Sequence, residues 1–249
     1  MGRYPPQDRS HSSFSFGPGP LSQALKVLIA SNVALFLLAI AIPALVTVFG
    51  LTPSDVVLEG RLWQVVTYMF LHGNVGHVLF NMLALWMFGT ELERAWGTRA
   101  FLRYYFVVGI AAAVSTILVS STLPFAARTF STTTIGASGG IYGLLLAYGL
   151  SFPNRPILLY FVFPIPAKYF VMILGAIALL MALSDSGGGV AHITHLGGLA
   201  AGYLLMPGRR FSPANEVRYR YVRWKMDRAR KRFGVHTGGR KDPWDKHIH

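Results

Sequence analysis

Cysteine is absent from the 249 residues, so a disulfide, a thiolate nucleophile and a Cys-ligated metal are all excluded. Charge is scarce as well. Only 13% of residues are Asp, Glu, Lys or Arg, about half of what a soluble domain carries, while 53% are hydrophobic. Acidic residues are the rarer sign, 10 against 23 basic, which gives a net charge of +13. Such an excess can mark a nucleic-acid surface. Here, however, 13 of the 23 basic residues lie within 208–249, few interrupt 24–207, and no nucleic-acid motif accompanies them. Nucleic acid is therefore not expected as a partner. No phosphate loop and no HExxH pattern is present, and no cofactor or metal is expected. The first 23 residues are polar and rich in Pro and Gly, without the apolar core of a signal peptide. Pro6 stands where a myristoylation signal needs Ser or Thr. Insertion into a membrane is expected to come from later segments.

Those segments are long apolar runs at 25–49, 75–89, 101–119, 138–152, 167–183 and 189–206. A helix needs roughly 20 apolar residues to span a bilayer. The first, third and sixth runs suffice alone; the others are short and need protein neighbours or a thinned bilayer. PILLYFVFPIP (156–166), bracketed by prolines, reads as an interfacial excursion; a seventh span would follow if it crossed. With six spans, Arg3, Arg9, Lys26, Arg94, Arg99, Arg103, Arg155 and Lys168 share one side, and Arg61 and Arg128 the other. The basic side is expected to be cytoplasmic, with both termini there.

Polar side chains inside spans are costly and mark functional sites by default. His77, Asn81, His192 and His195 are of this kind, and Ser138 in GASGGIYG (136–143) is a candidate nucleophile. A lone membrane serine usually packs helices. Histidines and an amide also suit a metal site or a proton path. Depth favours a shared site. The fourth run stops at Pro153, so its 15 residues cover about 22 Å of a core roughly 30 Å thick. Ser138 then lies about 8 Å below the outer surface, on a helix that begins inside the membrane. His195 falls at about 9 Å on the same rise, and His77 and Asn81 at roughly 4–5 and 10 Å.

The chemistry of that layer is acyl transfer. A serine needs a base within about 2.6–3.2 Å, hence closely approaching helices. Gly136 and Gly140, Gly139 and Gly143, and Gly198 and Gly202 have the small-residue spacing for that approach. Ser138 at a helix start leaves backbone N–H groups to hold an oxyanion. His77 and Asn81, four apart on one face, can add donors. No Asp or Glu lies in the layer, so the expected machinery is a Ser138–His195 dyad. Tyr142, one turn after Ser138, can stack on the imidazole, or be an aromatic core residue. The flexible SDSGGG loop (184–189) is expected to cover the site.

HGNVGHVLFN (72–81), GASGGIYG (136–143) and AHITHLGGLAAG (191–202) together resemble the rhomboid intramembrane serine proteases, across roughly residues 24–207. The resemblance implies Ser138 as nucleophile, His195 as base, and His77 with Asn81 in the oxyanion site, supported by Gly136 and Tyr142. His195 fits better than His192 because Gly198 and Gly202 follow it at the expected offsets. GTELERAWG (89–97) is similar to the family's turn after the second span, with Glu93 structural. One departure is visible: the family often has Trp-Arg in the first outer loop, but Gln64 follows Trp63 here, with Arg61 earlier. The expected architecture is an all-α, polytopic membrane protein with a six-transmembrane-helix bundle at 24–207, between an N-terminal tail (1–23) and a basic C-terminal tail (208–249). Expected partners are the lipid bilayer and membrane proteins with a transmembrane helix, cut near its outer end. The alternatives are a catalytically inactive relative that binds or escorts membrane proteins, and a transporter using the same polar groups. In the tail, Val222, Met226, Ala229 and Phe233 form one helical stripe, expected either to lie on anionic lipid or to be disordered.

Overall fold

The computed structural model describes residues 18–159, 163–183, 189–206 and, beyond these, 221, 224–226 and 228. The polar tail through residue 17, the SDSGGG loop at 184–188 and the stripe through Val222, Ala229 and Phe233 lie outside them. The chain divides into two compact units, 1–207 and 208–249. The first is mostly helical.

α1 (Gln23–Ala41) starts where the Ser22 hydroxyl accepts from Leu25 N–H at 3.1 Å, a side-chain N-cap. It ends before Pro43, which forces Ile42 out of helical geometry (φ −130°, ψ 80°). The apolar run expected at 25–49 is thus two helices, because α2 (Ala44–Phe49) resumes only after the proline. The connection that follows is largely structured by α3 (Pro53–Leu58), α4 (Gln64–Thr67) and a 3₁₀ turn at Tyr68–Phe70.

The second apolar run also differs from its expected bounds of 75–89. α5 (Val75–Ala84) passes through a π turn at Leu85–Gly89 into α6 (Thr90–Trp96), with helical backbone at both joints. The stretch expected as a turn, GTELERAWG (89–97), is helical from Thr90 to Trp96. Glu93 is buried there, because the hydroxyls of Ser22 and Thr98 each donate to its carboxylate at 2.6 Å. A buried carboxylate is tolerable when its lone pairs are met. Gly97, at φ +80°, then turns the chain into α7 (Thr98–Thr122). Residues 23–41, 75–96 and 98–122 are long and apolar enough to cross a membrane.

α8 (Ser138–Ser151), α9 (Ala167–Leu183) and α10 (Gly189–Leu205) are shorter. Between α8 and α9 the chain forms the one exception, among the described residues, to an all-α fold. β1 (Pro156–Leu159) pairs antiparallel with β2 (Phe163–Pro166), Pro156 opposite Pro166. Four residues of strand reach about 13 Å, less than half of a bilayer core, so this segment turns back rather than crossing.

α10 packs on both α7 and α8, and bare backbone makes the closest contact. A Cβ added to Gly198 would sit 2.1 Å from Gly139 O, and one on Gly202 2.7 Å from Gly143 Cα. Small residues let helices meet this closely. The Tyr104 hydroxyl of α7 lies 2.9 Å from the carbonyls of both Gly143 and Gly202, bridging the seam.

Candidate active site

Gly136 is the hinge from which the site is built. Its φ of +128° is a conformation L side chains rarely adopt, and its N–H donates to Tyr68 O at 2.9 Å. A side chain there would also strike His77, whose Nε2 lies 2.6 Å from the Cβ position; Ser138 Oγ is 3.6 Å from the same point. The imidazole of α5 and the hydroxyl of α8 therefore converge on one glycine. α8 begins at Ser138 with Ala137 as N-cap and no side-chain cap, and its first backbone bond runs from Ile141 N–H to Ala137 O. The N–H groups of Ser138, Gly139 and Gly140 have no acceptor within the helix, and they point out of its N-terminal end.

His195 Nε2 lies 2.8 Å from Ser138 Oγ. Tyr142 stacks on the imidazole, centroids 4.1 Å apart and planes 7° from parallel. His192, one turn earlier on α10, meets His195 edge-on at 5.7 Å between centroids. Among the described residues, no hydrogen-bond partner meets His195 Nδ1.

His77 belongs to α5 through Asn74, whose side-chain oxygen caps its N–H at 2.8 Å. Its Nδ1 accepts a long bond of 3.4 Å from Gly73 N–H. An accepting Nδ1 leaves the ring proton on Nε2, the atom facing Gly136. Asn81, buried one turn further on, gives one amide hydrogen to His77 O at 2.9 Å and keeps the other for the cavity. All six residues singled out from the sequence (Ser138, His195, His77, Asn81, Gly136 and Tyr142) thus meet in one place. Five of them, all but Gly136, border a cavity of about 630 Å³ that continues between α5 and α9, walled by Phe80, Phe88, Leu145, Phe170 and Leu174.

Some supporting residues are not evident from the sequence. His72 is buried and meets His77 edge-on, centroids 4.9 Å apart; it stands in the same HGNVGH stretch but carries no separate signal. Among the described residues the histidines form two edge-on pairs, His72 with His77 and His192 with His195. Gln64, with no exposed surface, takes over bracing of the first connection. Its Oε1 accepts from Thr52 N–H at 3.0 Å, and its Nε2 donates to Val48 O at 3.3 Å. Arg61 pairs with Asp55 at 3.0 Å and with Glu59 at 2.6 Å in the same connection. Thr52 and Thr133 hydroxyls meet at 2.8 Å and Leu51 bridges to Thr134, so this connection steadies the segment leading to Ser138.

The arrangement can carry acyl transfer: a hydroxyl on a ring nitrogen, unpaired N–H groups beside it, and a second imidazole N–H facing the same point. A family model described as the Rhomboid domain matches residues 59–209. Rhomboid protease GluP of Bacillus subtilis (strain 168) is 30% identical over 162 residues, 62% of this chain and 27% of that protein. Rhomboid protease AarA of Providencia stuartii is 29% identical over 218 residues, 79% of this chain and 75% of that protein. Rhomboid protein 1, mitochondrial, of Saccharomyces cerevisiae is 35% identical over 143 residues, 57% of this chain and 40% of that protein. The chain thus spans less than half the length of GluP and of the yeast protein.

Proposed function

The chain belongs to the rhomboid family, and on that premise we propose that it is an intramembrane serine endopeptidase working through a Ser138–His195 dyad. The observation that carries this reading is the 2.8 Å approach of His195 Nε2 to Ser138 Oγ under the Tyr142 ring. His195 takes the Ser138 proton as Oγ attacks a substrate carbonyl. The resulting oxyanion is held by the N–H groups at the start of α8 and by His77 Nε2–H, with the free Asn81 amide hydrogen beside them. His195 then protonates the departing amine, and water repeats the sequence on the acyl-enzyme. Among the described residues no carboxylate meets the imidazole; Tyr142 stacking orients it. No cofactor takes part.

The membrane-spanning unit is residues 24–207, with α1, α5–α6, α7, α8, α9 and α10 as six spans and both termini cytoplasmic. Segments 1–23 and 208–249 are tails. The substrates are membrane proteins presenting a transmembrane helix, and the cavity between α5 and α9, open to the bilayer side chains of Phe80 and Phe170, receives it. A fluorophosphonate probe tests the reading directly. The purified protein is expected to be labelled on Ser138, and Ser138→Ala and His195→Ala variants to stay unlabelled. A protein that folds, binds membrane proteins and takes no label would be an inactive escort instead.

A further inference from the structure

Ser138 and His195 belong to different helices, and glycine backbone alone makes their closest contact. Such a seam lets helices approach; Tyr104 bridges it one turn below the dyad, at Gly143 and Gly202, but the glycines themselves have no side chains to resist rotation. Rotation matters at this site. A side chain lies about 5–6 Å from its helix axis, so turning α10 by 10° moves the imidazole about 1 Å. A displacement of that size can cost about a hundredfold in rate.

Thr194, next to His195, supplies what the glycines lack. It is 1% exposed, and its Oγ1 lies 2.8 Å from Oγ1 of Thr116, which is fully buried on α7. Thr116 in turn donates to Ala112 O at 3.0 Å, so its hydroxyl is fixed on its own helix. The other branch of Thr194 meets α8. A Cβ added to Gly139, the residue after Ser138, would lie 3.2 Å from Thr194 Cγ2 and 3.0 Å from Ala112 Cβ. One stiff β-branched side chain thus touches α7 with its hydroxyl and α8 with its methyl. His195, the next residue, points about 100° away around the helix, toward Ser138.

Building on the proposed dyad, we infer that Thr194 and Thr116 are positioning residues that set the rotation of α10 and thereby the His195–Ser138 contact. The hydroxyl pair acts through geometry and touches neither substrate nor reacting atoms. Thr→Val keeps the branched shape and removes the hydroxyl; Thr→Ser keeps the hydroxyl and removes the methyl.

The test uses full-length protein in liposomes with a transmembrane peptide substrate, and measures kcat, KM, fluorophosphonate labelling rate and thermal midpoint. Thr194→Val and Thr116→Val are each expected to lower kcat and the labelling rate about tenfold or more, with KM and midpoint nearly unchanged. The double variant should be no slower than the slower single one, because the contact between the two hydroxyls is lost in both. Thr194→Ser and Thr116→Ser should stay near wild type. Unchanged kcat and labelling in the valine variants would overturn the inference. So would additive losses, serine variants as slow as valine ones, or valine variants whose activity falls only with their midpoint. Wild type that takes no label would remove the dyad reading and this inference with it. Labelled wild type with unaffected valine variants would remove the inference alone.

Discussion

A hydroxyl, an imidazole and a ring of unpaired N–H groups act at the scale of single residues, and each is expected to fail differently. Ser138→Ala removes the attacking oxygen and His195→Ala the proton acceptor, so each should abolish peptide cleavage while the thermal midpoint changes little. His192→Ala should cost far less, since its ring meets His195 only edge-on at 5.7 Å and lies apart from Ser138. Cleavage assays on the three purified variants check this, and an inactive His192→Ala beside an active His195→Ala would reassign the base. His77→Ala and Asn81→Ala should lower kcat rather than raise KM, because an oxyanion donor acts on charge present only in the transition state. One such donor is typically worth about 10²–10³ in rate. Of the two, His77 should matter more. Asn81 already spends one amide hydrogen on the carbonyl of His77. These residues were legible in the sequence because polar groups in apolar runs stand out, and because helix rise alone gives their depth. Thr116, Thr194 and Gln64 were not. Threonines inside membrane helices are common packing residues, and only coordinates bring residues 78 positions apart to 2.8 Å.

The elements owe their bounds to a few local conflicts, and the sequence pattern resolves some of these better than others. α9 and α10 match their apolar runs closely, since no proline interrupts either. The first run breaks at Pro43, a stop signal that hydropathy alone passes over. The second run extends past its expected end for the opposite reason. The helix continues through Glu93 because Ser22, the N-cap of α1, and Thr98 supply its hydrogen bonds. Such rescue depends on contacts between elements distant in sequence, which periodicity does not carry. The glycine pairs, by contrast, were readable as spacing, and the structure shows how little room they leave. Gly198→Ala would press a methyl within 2.1 Å of Gly139 O, where only backbone can yield. α10 must then move off α8, taking His195 from Ser138. Expected outcome: fluorophosphonate labelling falls to background and the midpoint drops. Gly175→Ala on α9 is the control, its Cβ meeting the flexible end of Leu199 at 3.3 Å, and should label normally.

At the scale of the whole molecule, depth in the bilayer decides where a substrate is cut. α8 begins at Ser138 and runs only 14 residues, about 21 Å, so a helix that ends at one bilayer face starts well short of the other. On the proposed orientation, with the basic side cytoplasmic, Ser138 is expected roughly 8–10 Å beneath the outer surface of a core about 30 Å thick. The apolar cavity continues from Ser138 between α5 and α9, in the direction a helix would approach from lipid. An intact substrate helix hides its carbonyls in hydrogen bonds, and leaving backbone groups unpaired in lipid costs several kcal/mol. Cleavage therefore requires local unwinding, which Gly, Pro or Ser in the substrate eases. The backbone around Ser138 is crowded as well. A Cβ on Gly136 would lie 2.6 Å from His77 Nε2 and 3.6 Å from Ser138 Oγ, so a small residue at the scissile bond should fit best. The expected cut lies within the outer third of a substrate's transmembrane helix, beside small or helix-weakening residues. Mass spectrometry of the released fragments, with wild type and Ser138→Ala compared, locates it. Replacing those small residues with Leu should slow cleavage at that position. Cuts in the cytoplasmic half, or rates indifferent to leucine there, would refute both the depth assigned to Ser138 and the orientation it depends on.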